Sequence, residues 1–174
     1  VCSSDLRFTV WEGLSLDWYR AMFANRDLME SAGNSLLIAV GSTVLATVAG
    51  AMAAYALWKK SSAWMSGSLY LSLVTPEIVT GVSLLAFFQW IFRYVHLRLG
   101  MHTVILAHVS FSIAYVVVVV LARLRDYDRT LEEAAMDLGA DEFTAFRKVT
   151  LPYLMPAIAA AALLAFTVSI DDYV

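Results

Sequence analysis

Apolar runs alternate with polar segments along this chain at lengths that suit membrane helices. Ser31 to Trp58 contains no charged residue. Roughly 20 apolar residues cross the ~30 Å hydrocarbon layer, so the run predicts a transmembrane helix over 34–58 with length to spare. Its small residues Gly41, Ala46, Ala49, Gly50, Ala53 and Ala54 would let a second helix come close. Lys59 and Lys60 end it. A second run, 68–92, is interrupted by Pro76 and Glu77, and a third, 103–122, carries the β-branched stretch Val116 to Val120. In water that stretch would suit a strand, but its length and flanks favour a membrane helix. A fourth run, 153–174, has Pro156 near its start and Asp171 and Asp172 near its end. The expected fold is all-α and integral to a membrane, with four spans visible. Residues 7–33 set Trp11, Trp18, Tyr19, Met22 and Phe23 among Glu12, Asp17, Arg20, Arg26 and Asp27. That mixture fits a segment lying at the membrane interface, and equally a soluble loop with a short helix.

Composition supports the membrane reading: 60% of the 174 residues are hydrophobic and 16% charged, with a mean hydropathy of +0.70, too apolar for a soluble domain of this size. The net charge is −3 and no Lys/Arg cluster is interleaved with aromatics, which sets nucleic acid aside. The single cysteine, Cys2, has no partner for an internal disulfide and no metal-ligand spacing. His108 lies within the third span with no His or carboxylate three or four residues on, so it is expected to be hydrogen-bonded structure. No His/Asp/Glu cluster or Ser/His pairing at a useful spacing points to an enzyme. The phosphate-cradling G-x-x-x-x-G-K-[ST] pattern is missing as well, so any ATP would bind a partner.

Acids inside spans are costly and carry information. Glu77 falls ~15 Å into the second run at 1.5 Å per residue, near the bilayer centre. It either lines a wet path or is protonated and bonded to a neighbouring helix. Asp171 falls ~27 Å along the fourth run; with Asp172 it is either an interface residue or a cation site. Alternating spans place seven Lys/Arg on the side of 59–67 and 123–152, and five on the other. Arg123, Arg125 and Arg129 crowd the end of a span, which puts that side in the cytoplasm.

The segment Arg123 to Pro152 holds twelve charged residues between two apolar runs. Thr130 and Glu133 have capping-box spacing, and Leu131, Ala134, Ala135 and Leu138 then form one narrow apolar face. Gly139 suits a left-handed corner. Asp141 can cap a second helix presenting Phe143, Phe146 and Val149, which Pro152 is expected to stop. The surface so built reads as a docking site for another protein.

Glu133-Ala134-Ala135, Gly139 after three residues, Val149 after nine more, and Leu151-Pro152 together resemble the EAA loop of binding-protein-dependent ABC transporter permeases, with Val149 where the family usually has Ile. The stretches GLSLDWYRAMF, NSLLIAVGST, PEIVTGVSLLAFF, ILAHVSFSIAYV, LEEAAMDLGA and LLAFTVSIDDYV are similar to the second-type permease subunits of spermidine/putrescine importers. The resemblance implies a six-helix importer domain of the bacterial inner membrane, its first and last helices missing here. Glu133, Ala134, Ala135, Gly139, Leu151 and Pro152 would belong to a cytoplasmic coupling helix and its return into the membrane. The implied partners are ABC ATPase subunits, which hold the ATP and Mg, a second permease subunit, a solute-binding protein and the lipid bilayer. Pro76, Glu77, Asp171 and Asp172 would line the path for a polycation. Permeases for thiamine, iron, phosphonate or sulfate share the loop, and an ion-coupled carrier, with Glu77 relaying protons, is the other class that fits the spans. The opening VCSSDL resembles a translated sequencing adapter, so residues 1–6 are read as an artefact and both ends as cut.

Overall fold

The computed structural model describes residues 17–60, 67, 74–75, 77–95 and 99–171. Residues 1–16, Pro76 and Asp172, on which some of the expectations above fall, lie outside the described residues. The chain divides into two compact units, Val1–Asn34 and Ser35–Val174.

The first unit contains α1 (Asp17–Ala24) and the start of α2 (Arg26–Lys59). Asn25 separates them and caps α2: its Oδ1 accepts the amides of Asp27 at 3.1 Å and Leu28 at 3.4 Å. This cap explains why the helix begins well before the apolar run that predicted it.

The second unit holds the rest of α2, then α3 (Glu77–Val95), α4 (Met101–Arg125), α5 (Thr130–Asp137), α6 (Glu142–Ala145) and α7 (Leu151–Asp171). Among the described residues, three helical stretches are long and apolar enough to cross a membrane: Arg26–Lys59, Met101–Arg125 and the continuous Glu142–Asp171. α3 contributes a shorter apolar stretch, Ile78–Tyr94. A chain of rings, Phe88 to Phe92 at 5.8 Å and Phe92 to His102 at 6.2 Å, leads from α3 into α4. The turn is closed by Thr103, whose hydroxyl donates to the Gly100 carbonyl at 2.6 Å.

The core joins Ala54 and Leu57 of α2, Val116, Val117, Val120 and Leu124 of α4, and Leu154, Ala161 and Ala165 of α7. Small residues on α2 and α7 face β-branched ones on α4, so the helices approach closely and gain dispersion contacts, the attraction that remains when lipid is as apolar as the side chains. Gly50 marks the closest approach: a Cβ there would sit 2.7 Å from Val116 Cβ and Cγ1. The β-branched run that might have been a strand is thus the rigid ridge of a helix.

Two local expectations are corrected. α5 does not start from a Thr130 cap. Arg129 already has helical backbone angles, and the Asp128 carboxylate accepts the Thr130 amide at 3.0 Å. An acid two residues upstream is the better-placed acceptor, since a charged oxygen binds amides more strongly than a hydroxyl and suits the positive end of the helix. Nor does Pro152 stop the second helix. Phe146–Thr150 forms a π-helical turn in which the Leu151 amide bonds the Phe146 carbonyl, and the helix continues through Pro152 to Asp171. The wider turn opens the carbonyl row one turn before Pro152, where its ring would otherwise clash.

Candidate functional site

The polar loop between α4 and α7 folds as two short helices around a glycine corner. α5 ends in Gly139 at φ +92°. The Gly139 amide bonds the Met136 carbonyl at 2.9 Å and the Ala140 amide the Ala135 carbonyl at 3.1 Å, the paired bonds of a Schellman stop. Asp141 follows in extended conformation and its carbonyl accepts the Ala145 amide at 2.9 Å, opening α6. Two aspartates are held below the ordinary carboxylate value at these caps. Asp128 is lowered by the Thr130 amide and then the Thr130 side chain, and Asp141 mainly by the Thr144 side chain.

α5 has two unlike faces. Outward it exposes Glu133 and Ala134, with Leu131 50% and Leu138 90% exposed; Phe143 of α6 adds a ring 68% exposed. Ala135 is half-buried. Inward it carries Glu132, whose Oε1 accepts the Thr150 hydroxyl and, at 3.5 Å, the Tyr55 hydroxyl. Thr150 also meets the Tyr127 hydroxyl at 3.2 Å; burial raises the pKa of Tyr127. Phe146, expected on the outward ridge, instead packs on Tyr55 with ring centres 4.8 Å apart.

Charges and rings clamp the same end of the bundle. Arg129 donates to the Trp58 carbonyl at 2.7 Å and lies 4.2 Å from the centre of the Trp58 ring. Arg123 lies 4.1 Å over Tyr153, and Lys59 pairs with Glu142 at 2.9 Å. The clamp gathers residues 55–59 of α2 with the loop and the start of α7. None of its members was singled out by spacing, because they meet only across the fold. The available signal was the set of aromatics at the helix ends beside the polar loop.

A second polar group lies inside the bundle. His108 Nδ1 is 2.9 Å from Ser169 Oγ, which is 3.0 Å from Ser42 Oγ, and Ser42 donates to the Ala39 carbonyl at 3.1 Å. With the Ser42 proton so used, the three side chains form one relay in which Ser169 bridges His108 and Ser42. All three side chains are buried. His108 is therefore hydrogen-bonded structure, as expected, and its serine partner lacks the access a nucleophile needs.

Of the residues expected at the loop, Glu133, Ala134, Ala135 and Gly139 share α5 and its corner, while half-buried Leu151 and exposed Pro152 open α7. Of the path residues, Glu77 begins α3 and Asp171 is the exposed last residue of α7. No group of three His, Cys, Asp or Glu side chains among the described residues is arranged to hold a metal.

The family model for the inner membrane component of binding-protein-dependent transport systems matches residues 46–174, which include the loop and its clamp. The chain belongs to this family. Over 167 residues it is 41% identical to the spermidine/putrescine transport system permease protein PotC of Haemophilus influenzae, covering 94% of this chain and 63% of that protein. PotC of Escherichia coli K12 is 39% identical over 94% of the chain and 62% of the relative. The putrescine transport system permease protein PotI of the same strain is 42% identical over 95% and 61%. The chain thus spans about three fifths of the length of the curated relatives it matches.

Proposed function

We propose that this chain forms part of the permease subunit of an ATP-driven importer of polyamines in the bacterial inner membrane. The subunit pairs with a second permease subunit and receives solute from a binding protein. ATP and Mg are held by separate ATPase subunits, and this chain performs no hydrolysis. The observation that carries the reading is the outward face of α5, where Leu131, Ala134 and Leu138 stand exposed beside Phe143 on a loop joined at both ends to membrane-length helices. A short helix with apolar residues exposed on its outward face suits a docking surface for a protein groove.

In this reading Glu133, Ala134, Ala135 and Gly139 meet the ATPase, and Leu151 and Pro152 return the motion to the membrane. Glu77, after Pro76, together with Asp171 and Asp172 offsets the positive charge of the solute along a path of low dielectric. Polyamines are favoured over other solutes by the names of the relatives at 39–42% identity.

The test is co-purification of the full-length subunit with the products of neighbouring reading frames, followed by ATPase assay with and without a polyamine-loaded binding protein. An ATPase that is retained and stimulated by the loaded protein supports the importer. Uptake in a strain lacking any such ATPase would establish an ion-coupled carrier instead.

A further inference from the structure

We propose that Glu132, which directly precedes the Glu-Ala-Ala signature, is the positioning residue that makes α5 move together with α2 and α7. The inference rests on the coupling role given to α5 above. α5 has eight residues and none of them is buried. A helix so short has little stability of its own. Its neighbours in sequence are two turns, residues 126–129 and 138–141, which transmit force poorly. Only Glu132 and Ala135 of its residues are even half-buried, and alanine has no group with which to grip.

The Glu132 carboxylate supplies that grip. It takes the hydroxyl of Thr150, the last residue of the π-helical turn that runs directly into α7, and the hydroxyl of Tyr55 in the last turns of α2. Thr150 is itself fully buried and tied to Tyr127, just after α4. A push on the outward face of α5 therefore reaches α2, α7 and the end of α4 through one side chain. The nearby Arg129–Trp58 and Lys59–Glu142 contacts hold the turns and α6 rather than α5. The π-helical turn, with its i→i+5 bonds, takes Thr150 off the regular helical register just before Pro152.

The test uses the full-length subunit assembled with its ATPase and binding protein in vesicles, reading three quantities: ATPase subunit retained, ATP hydrolysed and polyamine taken up. Glu132→Ala is expected to keep the ATPase subunit while polyamine moved per ATP falls at least five-fold. Glu132→Gln, which still accepts both hydroxyls, should recover at least half of the wild-type ratio. Thr150→Val removes the hydroxyl that joins Glu132 and Tyr127, and Tyr55→Phe removes the second donor to Glu132, both at nearly constant shape; each should lower the ratio about two- to three-fold. A wild-type ratio in Glu132→Ala would overturn the inference. So would loss of assembly in Glu132→Ala accompanied by unchanged ratios in both Thr150→Val and Tyr55→Phe. Failure of the wild-type subunit to retain any ATPase would overturn the importer reading itself, and is seen before any variant is made.

Discussion

Two polar clusters tie together helices that are far apart in sequence, and they use different chemistry. Inside the bundle, Ser42, His108 and Ser169 form an enclosed chain of hydrogen bonds. At the loop end, Glu132, Arg129, Lys59 and Glu142 carry charge and are flanked by Tyr55, Trp58, Tyr127 and Phe146. The difference follows from the surroundings. A charge in the hydrocarbon is expensive, so the interior is joined by hydroxyls and an imidazole. Near the surface, water offsets the cost of charge, and aromatic rings provide both apolar area and a face for cations. The interior cluster is a buried pin between α2, α4 and α7; the loop-end cluster joins partly exposed groups at the ends of the same helices.

The small-residue packing between the same helices is the most sensitive place to test this contrast. Gly50→Val forces a Cβ into Val116, and is expected to cost about 1–3 kcal/mol or more, as overpacking does. A drop in the melting temperature of the detergent-solubilised full-length subunit, partly restored by adding Val116→Ala, is the expected result; an unchanged melting temperature would mean that α2 and α4 are not packed this closely. At the loop end, Gly139→Val places a β-branched residue at φ +92° in open space. Left-handed geometry costs an L-residue about 1–2 kcal/mol, so amide exchange should quicken across 136–145 while the membrane helices keep their protection.

His108→Phe removes the imidazole from the interior pin. Side-chain hydrogen bonds in membrane bundles average about 0.6 kcal/mol and reach about 1.7, so a small loss of thermal stability is expected, smaller than that of Gly50→Val. A loss larger than that of Gly50→Val would show that the pin, rather than small-residue packing, dominates the interior. The smallest effect is one of pH. Asp128 and Asp141 are held below the ordinary aspartate value of 3.8 in the fold. Their hydrogen bonds to Thr130 and Thr144 therefore contribute fully above that value and lose their contribution as pH falls through the lowered ones. Exchange of the α5 and α6 amides, corrected for the intrinsic pH dependence, should be steady near pH 6 and quicken below pH ~4. Asp128→Asn, which caps without titrating, should remove the α5 part of that change.

Most of the apolar face of α5 could be read from local spacing: Leu131, Ala134, Ala135 and Leu138 recur with helical period, all exposed but half-buried Ala135, and Gly139 needs nothing but its own backbone to turn the corner. The same local logic failed at Thr130 and Pro152. The capping-box pattern does not weigh an acid two residues upstream against a hydroxyl, and the proline rule assumes a regular turn before the ring. Glu132 was passed over because one acid in a charged loop looks like its neighbours. What distinguishes it from Glu133 is a rotation of ~100° about the helix axis, which matters only once Thr150 and Tyr55 are in place.

By itself, the sequence determined that this chain is helical and belongs in a bilayer, where the polar loop lies and which apolar residues of α5 recur along it. These follow from hydrophobic run length and helical period, properties of neighbours along the chain. Tertiary structure alone decided that Gly50 seats against Val116, that His108 pins Ser169 and Ser42, and that Glu132 grips Thr150 and Tyr55. Those pairs are 18 to 127 residues apart, and no local rule can select one partner among many serines, threonines and tyrosines until packing has fixed the helices beside one another.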